Sequence, residues 1–144
     1  MDRITSFSGQ YRWLSNFYPA RVVDGGTEFS TLEHAFQAAK TTDVGWRARI
    51  LAAAGPGDAK RLGRKVPLRR DWEAVKVSVM RGLLVQKFAD PDLRDRLLAT
   101  GDVELVEGND WGDRFWGESP VGAGQNWLGR LIMSVRNQIR VEAG

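Results

Sequence analysis

Leu128, Leu131, Ile132, Val135 and Ile139 recur at steps of three and four. A helix over this segment gathers them into one apolar stripe, which commits the chain to a core built by packing helices. Asn126 stands where it can cap that helix, after a flexible link at Gly122-Ala123-Gly124-Gln125. Upstream, Asp43 opens a helix with Trp46, Ile50, Leu51 and Ala54 near one face, stopped by Gly55-Pro56-Gly57. Asp58 to Lys65 forms a short, very basic helix with Leu62 inward. Asp71 caps a longer helix whose stripe is Trp72, Val75, Val79, Gly82 and Leu83, leaving Lys76, Arg81 and Lys87 mostly on other faces. Asp90-Pro91 opens a helix through Leu93, Leu97 and Leu98 that Gly101 closes.

The β content is small. Ile4-Thr5-Ser6-Phe7 and Val103-Glu104-Leu105-Val106-Glu107 each suggest a short strand. Residues 20–23 and 27–29 flank Asp24-Gly25-Gly26, whose glycines supply the positive φ of a tight hairpin. The expected class is α+β and predominantly helical. One compact domain is expected over residues 1–144, with a small N-terminal β-hairpin and short strands.

Composition narrows the chemistry. There is no cysteine and a single histidine, His34. Thiol catalysis, Fe–S clusters, cysteine–zinc sites and multi-histidine metal centres are excluded. Magnesium held by Asp residues stays open, but no metal or cofactor is expected. No apolar run approaches 18 residues and no charged-then-apolar leader is present, so a cytoplasmic protein away from membranes is expected. Charge is segregated: residues 47–87 carry eleven Lys and Arg against three acids, and residues 90–118 carry nine acids against three Arg. A basic flank of this density attracts phosphate, on a nucleotide or a nucleic acid.

The chemistry itself is expected in Ser30-Thr31-Leu32-Glu33-His34-Ala35-Phe36-Gln37-Ala38-Ala39-Lys40. On a helix running to about Thr41, Glu33, Phe36, Gln37 and Lys40 share a face, with Glu33 and Lys40 roughly 10 Å apart. Each also has a structural explanation. Ser30-x-x-Glu33 is a capping box, and Lys40 suits the negative end of a helix dipole. Two aromatic stretches stand beside this one. Residues 11–19 bring four aromatics with Arg, Ser and Asn, read as a partly buried loop in which Trp13, Ser15 and Asn16 offer flat faces and amide donors for a base. Residues 108–118 mix Trp111, Phe115 and Trp116 with acids and glycines, among them Asp113 and Gly117, as loops that line sites do. Gly124, Gln125 and Asn126, at the start of the last helix, are placed to hold an anion or a ribose hydroxyl. The glycine-then-basic run after Gly55 lacks GxxxxGK[ST], which argues against a nucleotide triphosphatase.

Taken together, Trp13-Leu14-Ser15-Asn16-Phe17, Glu33-His34-Ala35-Phe36-Gln37-Ala38-Ala39-Lys40, Leu62-Gly63-Arg64, Asp71-Trp72-Glu73, Asp113-Arg114-Phe115-Trp116-Gly117 and Asn126-Trp127-Leu128-Gly129 resemble the NADAR family, the NAD- and ADP-ribose-associated proteins that include the YbiA-like N-glycosidases. The resemblance covers almost the whole chain. It implies a compact, mainly helical fold and hydrolysis of a ribosyl C1′–N bond. It places the family's acid on Glu33, its lysine on Lys40, its DWE tryptophan on Trp72 and its DxxWG aspartate on Asp113.

The leading expectation is removal of ADP-ribose from ADP-ribosylated guanine, as nucleotide or on nucleic acid, in functional pairing with an ADP-ribosyltransferase. The alternatives are hydrolysis of early riboflavin-pathway phosphoribosylaminopyrimidines, or a non-catalytic module that binds ADP-ribose or NAD. A carboxylate from Glu33 or Asp113 would stabilise the cationic sugar, and a desolvated Lys40 would attack C1′ as an amine. Trp72, Trp111 or Trp116 would stack the base. Arg61, Arg64, Lys65 or Arg69 would hold phosphate oxygens.

Overall fold

The computed structural model describes residues 3–144. In chain order its elements are β1 (Arg3–Ile4), a 3-10 helix (Gly9–Leu14), β2 (Pro19–Asp24), β3 (Thr27–Thr31), α1 (Leu32–Ala39), α2 (Val44–Leu51), α3 (Pro56–Gly63), α4 (Trp72–Lys87), α5 (Pro91–Ala99), β4 (Glu104–Leu105) and α6 (Trp127–Ala143). The class is mainly helical with two small sheets, as expected. The chain divides into two compact units: Asn16–Lys87, and Phe88–Gly144 together with the residues up to Ser15. Among the described residues, no helix is long and apolar enough to cross a membrane.

The unit Asn16–Lys87 is built around α1. The β2–β3 hairpin forms at the expected turn, with Gly25 and Gly26 at φ 58° and 80°. Its register pairs Val22 with Phe29, and both side chains are buried. Gln86 of α4 closes off β2 by accepting from Val23 N at 2.7 Å and donating to Val23 O at 2.9 Å. Arg47 of α2 donates to the Asp24 carboxylate (2.9 Å), Asp24 O (3.0 Å) and Ala38 O (2.8 Å). Hairpin turn, α1 and α2 are thereby fixed to one another, and every residue of α1 is buried.

Several boundaries correct the sequence expectation. Thr31, not Ser30, caps α1: its hydroxyl accepts from His34 N at 3.0 Å, while Ser30 is an exposed strand residue. The hairpin register decides this, because Thr31 still pairs with Pro19 and the helix begins only after it. Glu33 is therefore the second residue of the helix, one position too early to close a capping box on Thr31. Helix α1 also ends at Ala39 rather than Thr41, with Lys40 as its C-cap.

Asp43 caps α2 as expected, but only Ile50 of that helix is buried, and Leu51 and Ala54 are exposed. Gly55 is the N-cap of α3, which starts at Pro56 and buries Ala59 and Gly63 more deeply than Leu62. In α4 the buried set is Trp72, Met80, Leu83, Leu84 and Lys87. This helix packs on both α1 and β2, which turns its inner face away from Val75, Val79 and Gly82. The Asp71 carboxylate pairs with Arg69, at 2.6 and 2.9 Å.

In the other unit, β1 and β4 pair in parallel over two residues each, shorter than the stretches expected. The segment read as a loop after Gly9 is a 3-10 helix that buries Trp13 and Leu14. Trp13 meets Phe88 edge-on at 6.4 Å. Asp90 caps α5, accepting from Leu93 N at 3.0 Å, with Pro91 in the first turn. Helix α6 follows its stripe, burying Leu128, Leu131, Ile132 and Val135, with Ile139 half-buried. Asn126 precedes it in the left-handed region at φ 50° and makes no side-chain cap bond. Its amide instead donates to Leu105 O (2.9 Å) and accepts from Glu107 N (3.0 Å), fastening α6 to β4.

Candidate active site on helix α1

Glu33, Gln37 and Lys40 come from one face of α1, as their spacing requires. The Glu33 carboxylate is buried at the start of the helix and accepts from Gln37 Nε2 at 2.5 Å. Its backbone N–H donates to Asn16 O at 3.1 Å, which brings the segment before β2 against the first turn. Burial pushes the Glu33 carboxyl above its ordinary value. The Gln37 hydrogen bond and the charges of Lys60, Lys40 and His34 oppose that shift.

Lys40 has the mirror-image environment. Burial pushes its amine below the ordinary lysine range, Glu33 opposes, and Arg64, Lys60 and Lys76 add to the depression. Its carbonyl accepts from Arg69 N at 2.7 Å, anchoring the end of the helix. No ion pair holds Nζ among the described residues. An acid biased towards its protonated form and an amine biased towards its neutral form therefore face the same way, about two turns apart. Perturbed pairs of this kind are concentrated in active sites.

Around the pair, Trp72 of α4 packs on Phe36 at 5.1 Å and is buried. Arg61 is ion-paired to Asp58, and Arg69 is held by Asp71. Arg64 acts on Lys40, as do Lys60 and Lys76, the last itself ion-paired to Glu73 at 2.7 Å, and neither lysine was singled out from sequence. A usable signal existed: Lys60 and Arg64 lie four apart and share a face of α3, whereas Arg61 is rotated about 100° away. Asn16 is buried, with Nδ2 on Met80 Sδ at 3.6 Å and Oδ1 without a partner.

Trp13, Ser15, Trp111, Asp113, Trp116, Gly117 and Asn126 belong to the other unit. Asp113 organises its own loop. Its Oδ1 accepts from Phe115 N (3.1 Å) and Trp116 N (2.9 Å), and its backbone is clasped by the Asn109 carboxamide. Trp116 is half-buried edge-on to Phe115, which stacks on Trp127 at 6.3 Å. Gly117 is buried where a Cβ would collide with Glu107 O and the Asn109 amide, so the close approach requires glycine. Trp111 is 61% exposed and lines a cavity of about 670 Å³ with Arg3, Asp110 and Glu118. Among the described residues, no group of three or more His, Asp or Glu is arranged to hold a metal ion.

The NADAR domain family model matches residues 5–140. N-glycosidase YbiA of Escherichia coli K12 is 41% identical over 147 residues, covering 98% of this chain and 91% of that protein. An N-glycosidase of Nostoc punctiforme is 43% identical over 90% of this chain and 86% of its own length. A riboflavin biosynthesis protein of Vibrio vulnificus is 40% identical over 91% of this chain, which spans only 36% of that longer protein. The NMR structure of E. coli YbiA superimposes with a TM-score of 0.86 at 39% identity, covering 99% of this chain and 88% of that one. The chain thus belongs to the NADAR family, as an N-glycosidase closely related to YbiA rather than a non-catalytic binding module.

Proposed function

We propose that this N-glycosidase hydrolyses the C1′–N bond of a phosphoribosylated amine, with Glu33 handling the proton and Lys40 attacking the sugar. The observation that carries this is the acid–amine pair on one face of α1, each biased by burial towards its uncharged form. In that form Glu33 donates its proton to the ribose ring oxygen, and the C1′–O bond opens to leave a C1′=N iminium. The neutral Lys40 amine adds to C1′, and the base nitrogen departs with a proton as the free amine. Water then adds to the resulting lysine imine, the C1′–Nζ bond breaks, and the sugar aldehyde and lysine are regenerated. Arg64, Lys60 and Lys76 favour an anionic ligand and add to the depression of the Lys40 pKa that burial causes.

The substrate favoured is the phosphoribosylaminopyrimidine class of early riboflavin synthesis. The V. vulnificus relative is named a riboflavin biosynthesis protein, and a glycosylamine opens to the iminium this route requires. ADP-ribosylated guanine is the second reading, supported by the cationic surroundings of Lys40, which also suit a diphosphate.

Incubation of the purified chain with a phosphoribosylaminopyrimidine, ADP-ribosylated guanosine and NAD, followed by chromatography, tests both. Release of ribose 5-phosphate and free aminopyrimidine is expected. Release of ADP-ribose from the guanosine adduct alone would transfer the assignment to the second reading. No product from either adduct would overturn both.

A further inference from the structure

Phe17 is 40% exposed. A single exposed phenylalanine is ordinary on a protein surface, but this one has two ties to the acid–amine pair. It follows Asn16, whose carbonyl receives the Glu33 backbone N–H at 3.1 Å. Its ring centroid also lies 6.0 Å from Lys60 Nζ, and the same ammonium acts on both the Glu33 carboxyl and the Lys40 amine. The short segment before β2 and the middle of α3 therefore bring an accessible aromatic ring and a cation to the site where C1′ chemistry is assigned.

We propose that Phe17 and Lys60 form the leaving-group subsite, the Phe17 ring stacking on the planar base while Lys60 Nζ holds an electronegative atom on the base's edge. The proposal rests on the N-glycosidase mechanism assigned to Glu33 and Lys40 and names the part of that site which selects the amine. Trp72, the other aromatic of this unit expected to stack the base, is buried against Phe36 and offers little open face. Stacking on an aromatic face tolerates different bases, because every base has a π-face. Phe17 thus favours any flat heterocycle over a bare sugar phosphate, and Lys60 favours bases whose edge carries a carbonyl.

The test is calorimetric titration of the full chain with two probes, guanosine 5′-monophosphate and ribose 5-phosphate, which differ in the base. Wild type binds the nucleotide more tightly. Phe17→Ala weakens nucleotide binding about tenfold and leaves ribose 5-phosphate within about twofold, since only the base meets the ring. Phe17→Tyr keeps the preference, and Lys60→Gln reduces it without removing ribose 5-phosphate binding. Equal loss for both probes in Phe17→Ala, an unchanged preference in that variant, or a wild type that does not distinguish the probes overturns the subsite. The binding readout is independent of turnover. A chain that distinguishes the probes but cleaves neither adduct would sink the proposed reaction and leave the platform standing.

Discussion

Gly63 of α3 lies directly beneath the Gln37 side chain: a Cβ built on it would fall 2.6 Å from Gln37 Cδ and closer still to Oε1. Gln37 is in turn the residue that donates to the Glu33 carboxylate. The α1–α3 crossing therefore sets the position of the Glu33 carboxyl through one amide. Gly63→Ala should cost about 1–3 kcal/mol of stability by overpacking and push Gln37 away from Glu33. Losing that hydrogen bond removes an influence that lowers the Glu33 pKa, so the limb of the pH–rate profile governed by Glu33 should move to higher pH. Gln37→Met, which removes the donor without crowding, should move it in the same direction. A profile unchanged in both variants would confine Gly63 to packing.

Lys40→Ala and Lys40→Arg should both abolish turnover if the amine bonds to C1′, because a guanidinium keeps the charge but is not a nucleophile. Borohydride added during turnover should leave a stable adduct on the wild type, detected as a mass increase on the peptide containing Lys40. Substantial activity in Lys40→Arg, or no adduct, would leave lysine an electrostatic role only.

Glu33 couples activity to stability with a defined sign. Its folded pKa lies above the ordinary 4.5, so the stability it contributes is complete below that value and is lost as pH rises through the folded pKa. Glu33→Gln, which cannot ionise, should melt higher than wild type at pH 8 and level with it near pH 4. Activity should fall by about 10²–10⁴-fold. A variant that keeps its activity would reduce Glu33 to a structural role.

Lys87 gives a second pH signature. It is 1% exposed, and burial pushes its amine down to about 7. The unfolded chain then binds more protons than the folded one between about 7 and 10.5, so stability rises with pH across that window. The melting-temperature difference between Lys87→Met and wild type should favour the variant most at pH 6 and shift steadily towards wild type up to pH 10. A difference independent of pH would show that Lys87 does not titrate there.

Asp113 has a structural duty whatever else it does, through the two amides its Oδ1 receives. Asp113→Asn keeps an acceptor oxygen for those amides and removes the charge, whereas Asp113→Ala removes both. Loss of activity at an unchanged melting temperature in Asp113→Asn would assign the carboxylate to chemistry. Loss of about 1–2 kcal/mol in Asp113→Ala alone, with Asp113→Asn fully active, would assign it to the loop.

Local signals in the sequence determined the helices and the common face of Glu33 and Lys40. Period-3.6 apolar residues mark α6, the Asp43 and Asp90 caps open α2 and α5, and paired glycines turn the hairpin, because these depend on neighbours within a few residues. The same periodicity puts Glu33, Gln37 and Lys40 on one side of α1. Tertiary structure decided what those side chains experience. Strand pairing with Pro19 moved the cap of α1 to Thr31, and the buried face of α4 took in Lys87 while Val75 stayed half-buried. Arg61 and Arg69 were matched with acids, and Lys60 and Arg64 were brought to where they act on Lys40. Desolvation and long-range charge depend on which elements come to lie beside one another, and the spacing of residues along a single helix does not encode that.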